Sequence, residues 1–542
     1  MTRYIFVCGG VISGVGKGIA TASIANIIKS RGFRVTAVKI DPYVNVDAGT
    51  MNPTEHGEIF VTEDGMECDQ DVGNYERFLD ENIPKENYMT TGSVYLSVIQ
   101  RERNLGYNGY QVEVVPHIPL EVINRLECAS KKAKADFTVV EIGGTVGEYQ
   151  NALFLEAARM MRLTNPGQVI FIMVSYLPIP EKIGEMKTKP TQHAVRAMNA
   201  AGIQPDIIIA RAAVAIDKPR KERIALNCNI SAEDIIAAPD VDSIYDVPIN
   251  FERDDLGHRI LEKFGLNKKA TQERRKAWTT MARHAHSASK IVRIGIVGKY
   301  FSTGAFTLAD SYISVIEAVK HASWAENRKP EITWLDAEAY EKNPRATEEL
   351  KRYDGIIVPG GFGSRGVVGK ISAIKYCRTH SVPYLGLCYG LQLAVVEFAR
   401  NVCGLKDANT TENDSKTKNP VIHTLPEQVM YIQEKKMGGS MRLGAYSCEI
   451  KLGTKADRAY QRVMVSERHR HRYEVNNEYR EILEKNGLIV SGLNPERNLI
   501  EIMELKKHPF FLGTQAHPEL KSRPLHPHPL FRAFIKAAKK SL

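Results

Sequence analysis

Short apolar runs closed by glycine- or proline-bearing turns alternate with helix-spaced stretches along the whole chain. That pattern predicts an α/β architecture, with parallel strands buried on both faces and helices connecting them. In the first half the runs are Tyr4 to Cys8, Phe33 to Tyr43, Ala135 to Glu148, Gly167 to Leu177 and Pro205 to Val214, with helical segments between them such as Thr191 to Gly202. From Leu266 to Lys290 the spacing gives way to charged helix formers, and a new strand pattern starts at Ile291. We therefore expect a first domain over 1–265, a helical spacer over 266–290 and a second domain over 291–542. The second half predicts strands at Ile291 to Tyr300, Pro330 to Leu335 and Tyr353 onward, and a strand passing directly into a helix over Val382 to Ala399.

The first strand leads through a glycine-rich turn, Gly9 to Gly18, into a helix starting near Ile19. Glycines let backbone N–H groups converge on an anion, the helix N-terminus adds positive charge, and Lys17 supplies an ammonium for phosphates. Nucleotide triphosphate binding is the chemistry this suggests. The turn departs from G-x4-G-K-[ST] at two places, with Val11 at the first glycine and Gly18 at the Ser or Thr that would hold magnesium. The metal then needs carboxylates from elsewhere. Asp64, Glu67, Asp69 and Asp71 lie close together within Asn45 to Phe78, and Glu141 ends an apolar run beside the phosphate loop, where ligands of doubly wound sheets bind. Lys187-Thr188-Lys189-Pro190 places two cations at a helix start. The alternatives, taken singly, are a tight turn without a ligand, a solvated acidic loop, a Glu141 that caps the following turn, and a solvated lysine loop.

In the second half Gly386-x-Cys388-x-Gly390 sits where a strand ends and a helix begins. Such an elbow lifts a thiol above a sheet at a helix N-terminus, the setting of a cysteine nucleophile. His517 ends another apolar run, and Glu519 follows two residues later. The histidine can take the thiol proton and the carboxylate can orient its ring.

Composition changes little in this picture. The 542 residues are 43% hydrophobic and 25% charged, too long for one core and without a low-complexity tract. No secretory leader and no membrane-length apolar run is legible, so a cytoplasmic protein without membrane partners is expected. The eight cysteines show neither C-x-x-C pairing nor finger spacing. A net charge of +10 fits polyanionic small substrates, and the basic clusters Lys218 to Arg223 and Arg468 to Arg472 lack the interleaved aromatics of a nucleic-acid groove. No nucleic-acid partner is expected.

GGVISGVGKG, KIDPYVNVDAGTMNPTEHGEIFVTEDG, NYERF, EIGGTVG, KTKPTQ and VDSIYDVP resemble, in order, the synthetase segments of the CTP synthase family. VPGGFG, GLCYG, GGSMRLGA, ERHRHRYEVNN and AHPE resemble that family's class I glutamine amidotransferase domain. The resemblance implies a P-loop-like doubly wound parallel sheet followed by a class I amidotransferase α/β domain. It implies a ligase that aminates UTP to CTP with ATP and with ammonia from L-glutamine, through 4-phosphorylated UTP, in pyrimidine nucleotide synthesis.

By the same resemblance ATP binds Ser13, Gly14, Val15, Gly16, Lys17, Gly18, Ile19, Asp71 and Val241, with Asp240 near adenine. Asp71 and Glu141 hold magnesium, Lys17 and Lys39 serve phosphoryl transfer, and no organic cofactor is needed. UTP or CTP contacts Ser13, Glu148, Tyr149, Gln150, Lys187, Thr188, Lys189, Pro190, Thr191, Gln192 and Arg223. Glutamine meets Gly361, Tyr389, Gly390, Leu391, Gln392, Glu412 and Arg472, with Gly360, Gly361 and Phe362 as the oxyanion region. The resemblance further implies a homotetramer with GTP as activator and CTP as product and inhibitor, and leaves filament assembly open. Three positions depart from the usual family pattern: Gly14 for a second serine, Glu148-Tyr149-Gln150 for Asp-Ile-Glu, and Arg223 for lysine. The lost carboxylate bears on product inhibition more than on catalysis. A cofactor-amidating ligase would share the phosphate loop and the Cys/His/Glu set without KTKPTQ. A partitioning ATPase would share only the first stretch, and a scaffold would need no thiol.

Overall fold

The computed structural model describes residues 2–266, 272–299, 302–303, 306–307, 309–361, 363–425, 428, 430 and 438–539. Two compact units emerge, Met1–Asp47 with Asp71–Ala282, and Ala48–Gln70 with Arg283–Leu542.

The first unit is built on a seven-stranded parallel sheet. Its strands run, edge to edge, Tyr88–Thr90, Val35–Asp41, Phe137–Ile142, Arg3–Gly10, Val169–Tyr176, Ile207–Ala212 and Ile235–Pro239. Both faces are covered, so its strands are apolar without alternation, and Phe6, Val140 and Phe171 are fully buried. The parallel register sets Lys39 beside Glu141 and Glu141 beside Val7. The charged residues that end these apolar runs thus reach the same edge of the sheet.

The expected spacer is helical over Gln272–Ser287, with 267–271 outside the described residues. It is no free rod. Trp278, Met281 and Ala282 share one helical face and are buried, and the Trp278 indole donates to the Tyr245 carbonyl at 2.9 Å.

The second unit carries a nine-stranded mixed sheet. Lys329–Asp336, Ile291–Gly298, Gly355–Val358, Tyr384–Leu387 and Phe511–Thr514 are parallel, and Leu499–Leu505, Leu488–Asn494, Arg442–Ile450 and Met464–His471 continue it antiparallel. Apolar clusters fill both of its faces.

Ala48–Gln70, within the acidic stretch, belongs to this second unit, while Asp71 belongs to the first. It forms a short helix, Pro53–His56, and a hairpin, Ile59–Val61 with Glu67–Asp69. Its carboxylates meet the basic cluster of the Met464–His471 strand: Arg468 Nε donates to Glu63 at 2.9 Å and Arg470 Nε donates to Glu67 at 2.8 Å. Arg468 also donates to the Val61 carbonyl and lies 5.3 Å from the Phe60 ring centroid. Alternation sends the arginines to the hairpin and the histidines inward. With Arg468 wholly buried, Arg468→Ala should cost about 3 kcal/mol by leaving the Val61 carbonyl without its donor and Glu63 with Lys521 alone. Chemical denaturation should show that loss, and limited proteolysis should show new cleavage within residues 48–70.

Candidate functional site

In the first unit polar groups gather where the central strands end. Gly16, with φ 92, caps the helix Lys17–Ser30, and Val11 takes φ 79. Val11 thus adopts the left-handed conformation that the standard motif assigns to glycine, at a strain of about 1–3 kcal/mol. Lys17 is buried, and its Nζ donates to the Gly144 carbonyl at 2.8 Å. Burial pulls its pKa below the usual lysine value, against the Glu141 charge.

The second departure, Gly18, has a steric cause: a Cβ there would overlap the Asp71 carboxylate. The volume that a serine or threonine would use already holds carboxylate oxygens. Lys39 Nζ donates to Asp71 Oδ2 at 2.5 Å and to Glu141 Oε1 at 2.9 Å, and the Tyr75 hydroxyl donates to Glu141 Oε2. Burial raises the pKa of Glu141 and of neighbouring Asp41, and the Lys39 charge opposes both shifts. Among the described residues no three His, Cys, Asp or Glu side chains form a complete metal cage. A pair of carboxylates still fits magnesium, which keeps waters and takes one or two protein carboxylates when it rides on phosphates.

Beside this cluster Val15, Gly16 and Ile19 face Asp240, Val241 and Phe251 across an open cleft of about 940 Å³, and Arg211 pairs with Asp240 at 3.0 Å. The remaining nucleotide candidates are less concentrated. Ser13 and Gly14 are exposed in the loop, and Glu148 accepts from the Thr145 hydroxyl. Tyr149 is 99% exposed, and Gln150, Lys189 and Arg223 are also exposed. Lys187 pairs with Glu185 at 2.5 Å, and half-buried Pro190 stands in the first turn of the helix Lys189–Ala200. Thr188 and Thr191 are engaged internally, by Gln192 at 3.2 Å and Ser175 at 2.8 Å.

In the second unit Cys388 has φ 51 and caps the helix Tyr389–Asn401 directly after its strand. A Cβ at Gly390 would overlap the Val358 carbonyl, so the second glycine of the elbow is a packing requirement. A Cβ at Gly360 would stand 2.9 Å from His517 Cε1 and 3.8 Å from Cys388 Cβ. His517 and Cys388 therefore converge although 129 residues separate them in sequence. His517 Nδ1 lies 2.7 Å from Glu519 Oε1, and its Nε2 has no hydrogen-bond partner among the described residues. Burial alone would keep the ring neutral, yet the charges of Glu519 and Cys388 outweigh it and raise the His517 pKa well above the usual value. These groups line one pocket with Gly361, Tyr312 and Arg470, walled also by Pro53, Glu58 and Ile59.

Residues 3–266 match the family described as CTP synthase N-terminus, and residues 307–537 match glutamine amidotransferase class-I. The CTP synthase of Caldanaerobacter subterraneus subsp. tengcongensis is 49% identical over 539 residues, 99% of this chain and 98% of that protein. The chain belongs to the CTP synthase family. The CTP synthase of Sulfurisphaera tokodaii is likewise 49% identical over 99% of each chain. A solved Trypanosoma brucei CTPS glutaminase domain with bound acivicin is 38% identical and covers 46% of this chain and 94% of its own, with a TM-score of 0.42.

Of the expected glutamine residues, Gly361 lines the cavity by Cys388. Glu412 accepts the Gly363 N–H at 2.7 Å, with its pKa raised by burial. Tyr389 is buried, 5.5 Å below the Lys370 ammonium, and Leu391 packs on Gly513. Arg472 donates to Gln428 and Ser440, Gln392 donates to the Tyr473 carbonyl, and Phe362 lies outside the described residues. His469 and His471 lie in the interior of the second unit. They are buried 3.0 Å from each other beside Arg442, Glu474 and Glu501, and burial followed by the Arg442 charge pushes both pKa values well below normal. Tyr75, Arg211, Arg470, the 53–59 wall and Gln515, which reaches the Cys388 sulfur, escaped the sequence reading. Arg470 had a signal in its basic cluster. The wall had none, because a distant segment supplies it.

Gly18→Ser should displace the Asp71 carboxylate and lower ATP-dependent amination at least tenfold while glutamine hydrolysis persists, as parallel assays would show. The raised His517 pKa predicts a pH effect. A group that binds its proton more tightly when folded stabilises fully below its unfolded value of about 6.5, and that contribution fades as pH rises through the folded value. Glu519→Gln should therefore destabilise most at about pH 6, and the gap between its melting temperature and that of the parent should narrow in alkali.

Proposed function

We infer that this chain converts UTP to CTP with ATP, using nitrogen released from glutamine. The observation that carries this reading is one chain holding both a thiol–imidazole–carboxylate set and a phosphate loop backed by a lysine–carboxylate cluster. In the glutaminase reaction Cys388 Sγ bonds to the carboxamide carbon, and backbone N–H groups of the Gly360–Gly361 turn stabilise the oxyanion. The C–N bond then breaks, and His517 Nε2 protonates the departing nitrogen. Glu519 holds the ring and its charge. Water, deprotonated by His517, hydrolyses the thioester to glutamate and frees the thiol.

In the first unit the cleft of Val15, Gly16, Ile19, Asp240 and Val241 takes the adenosine of ATP, and Lys17 receives the phosphates. Magnesium, held by Asp71 and Glu141, would neutralise charge on the phosphate oxygens. Lys39 is positioned by those same carboxylates to meet the phosphoryl group passing to O4 of UTP. Ammonia then displaces phosphate at C4. Ser13, Glu148, Tyr149, Gln150, the 187–192 segment and Arg223 form the pyrimidine nucleotide site, which the exposure of Tyr149 and Arg223 leaves accessible. By family resemblance the chain forms a homotetramer with GTP as activator and CTP as inhibitor.

Cys388→Ala should abolish CTP formation with glutamine and leave it near the parental rate with ammonium salts, both followed with UTP and ATP. CTP formation by the parent protein without ATP would refute the reading.

A further inference from the structure

Gln515 lies two residues before His517, is fully buried, and has a side chain whose orientation is determined. The Tyr473 carbonyl can only accept, so the amide group 2.8 Å from it is the Gln392 NH2. The same nitrogen reaches Gln515 Oε1 at 3.4 Å, which turns Gln515 Nε2 to Cys388 Sγ at 3.6 Å. The Gln515 backbone is fixed as well, its N–H donating to the Glu501 carbonyl at 2.7 Å. Gln392 belongs to the helix that Cys388 caps, and its N–H returns to the Cys388 carbonyl at 3.2 Å. The relay closes on itself.

We propose that Gln515 is the hydrogen-bond donor that holds the Cys388 sulfur for attack, and that Gln392 is a positioning residue acting through it. This rests on the glutaminase reading above and adds to the expected role of Gln392, whose Nε2 is used inside the protein while its Oε1 has no hydrogen-bond partner among the described residues. A thiol can give its proton toward the Arg470 carbonyl, 3.9 Å away, but a thiolate can only accept. An N–H aimed at sulfur strengthens once that sulfur carries negative charge, and it keeps the lone pair directed at the carboxamide carbon. No new covalent step is required. The S–C bond forms, the C–N bond breaks, and the nitrogen leaves with the His517 proton.

The test uses the full chain with Gln515→Leu, Gln515→Glu and Gln392→Leu. The readouts are glutaminase kcat and KM, and the rate at which iodoacetamide alkylates Cys388, followed on its peptide by mass spectrometry. Gln515→Leu should lower kcat and alkylation on the order of tenfold, with KM within about twofold. Gln515→Glu, which sets an anion against the thiolate, should lose more, and Gln392→Leu should follow the same pattern at smaller amplitude. Retained ammonia-dependent CTP formation certifies folding. Alkylation, which needs no substrate, reports on Gln515 even if glutamine is not the amide donor. Unchanged alkylation in Gln515→Leu, or a loss confined to KM, would overturn the proposal. A pure KM rise in Gln392→Leu would overturn its positioning role.

Discussion

An ammonium removed from water must be surrounded by carboxylates, and in the first unit that requirement falls on Lys39. It is 5% exposed and paired with both Asp71 and Glu141. Much of the neighbourhood follows. Asp71 must stand against the phosphate loop, which excludes a side chain at residue 18, and Glu141 must end its strand charged, which the Tyr75 hydroxyl supports. The ion pairs also hold the cluster ready, since groups already oriented need not reorganise when phosphate arrives.

The second unit meets a related constraint with an imidazole. The His517 pKa is raised inside the protein because one neighbour is a carboxylate and the other a group able to become an anion. Elsewhere in the same unit His469 and His471 are neutralised by burial beside Arg442. Identical side chains, all buried, have their pKa values pushed in opposite directions by the sign of the charge beside them.

Much of this was legible in the sequence because it is local. The strands ending at Gly10, Asp41 and Ile142, the elbow at Cys388 and the His517–Glu519 pair each lie within a few residues, where apolar runs and glycine spacing carry the information. What resisted reading was tertiary. The 45–78 stretch reads as a solvated acidic loop or as the source of a metal carboxylate, and neither reading foresees that Glu63 and Glu67 answer arginines some 400 positions away. The Arg–His alternation of 468–472 was visible, yet which face met what depended on a hairpin whose docking no periodicity encodes. Gln515 looks like any strand-end glutamine until the helix after Cys388 brings Gln392 to it. Val11 and Gly18 read as departures from a motif; Val11 takes a positive φ, and the space beside Gly18 is filled by the Asp71 carboxylate, which no local pattern announces.

The membership of Ala48–Gln70 in the second unit bears on how such a protein can be inherited. A recombination event that exchanged everything after Ala282 for a divergent copy would deliver Arg468 and Arg470 without the Glu63 and Glu67 that answer them, and a catalytic cavity whose Pro53, Glu58 and Ile59 wall belonged to another lineage. Substitutions at Arg468 and Arg470 on the Met464–His471 strand are tied to those at Glu63 and Glu67, in a segment encoded far upstream.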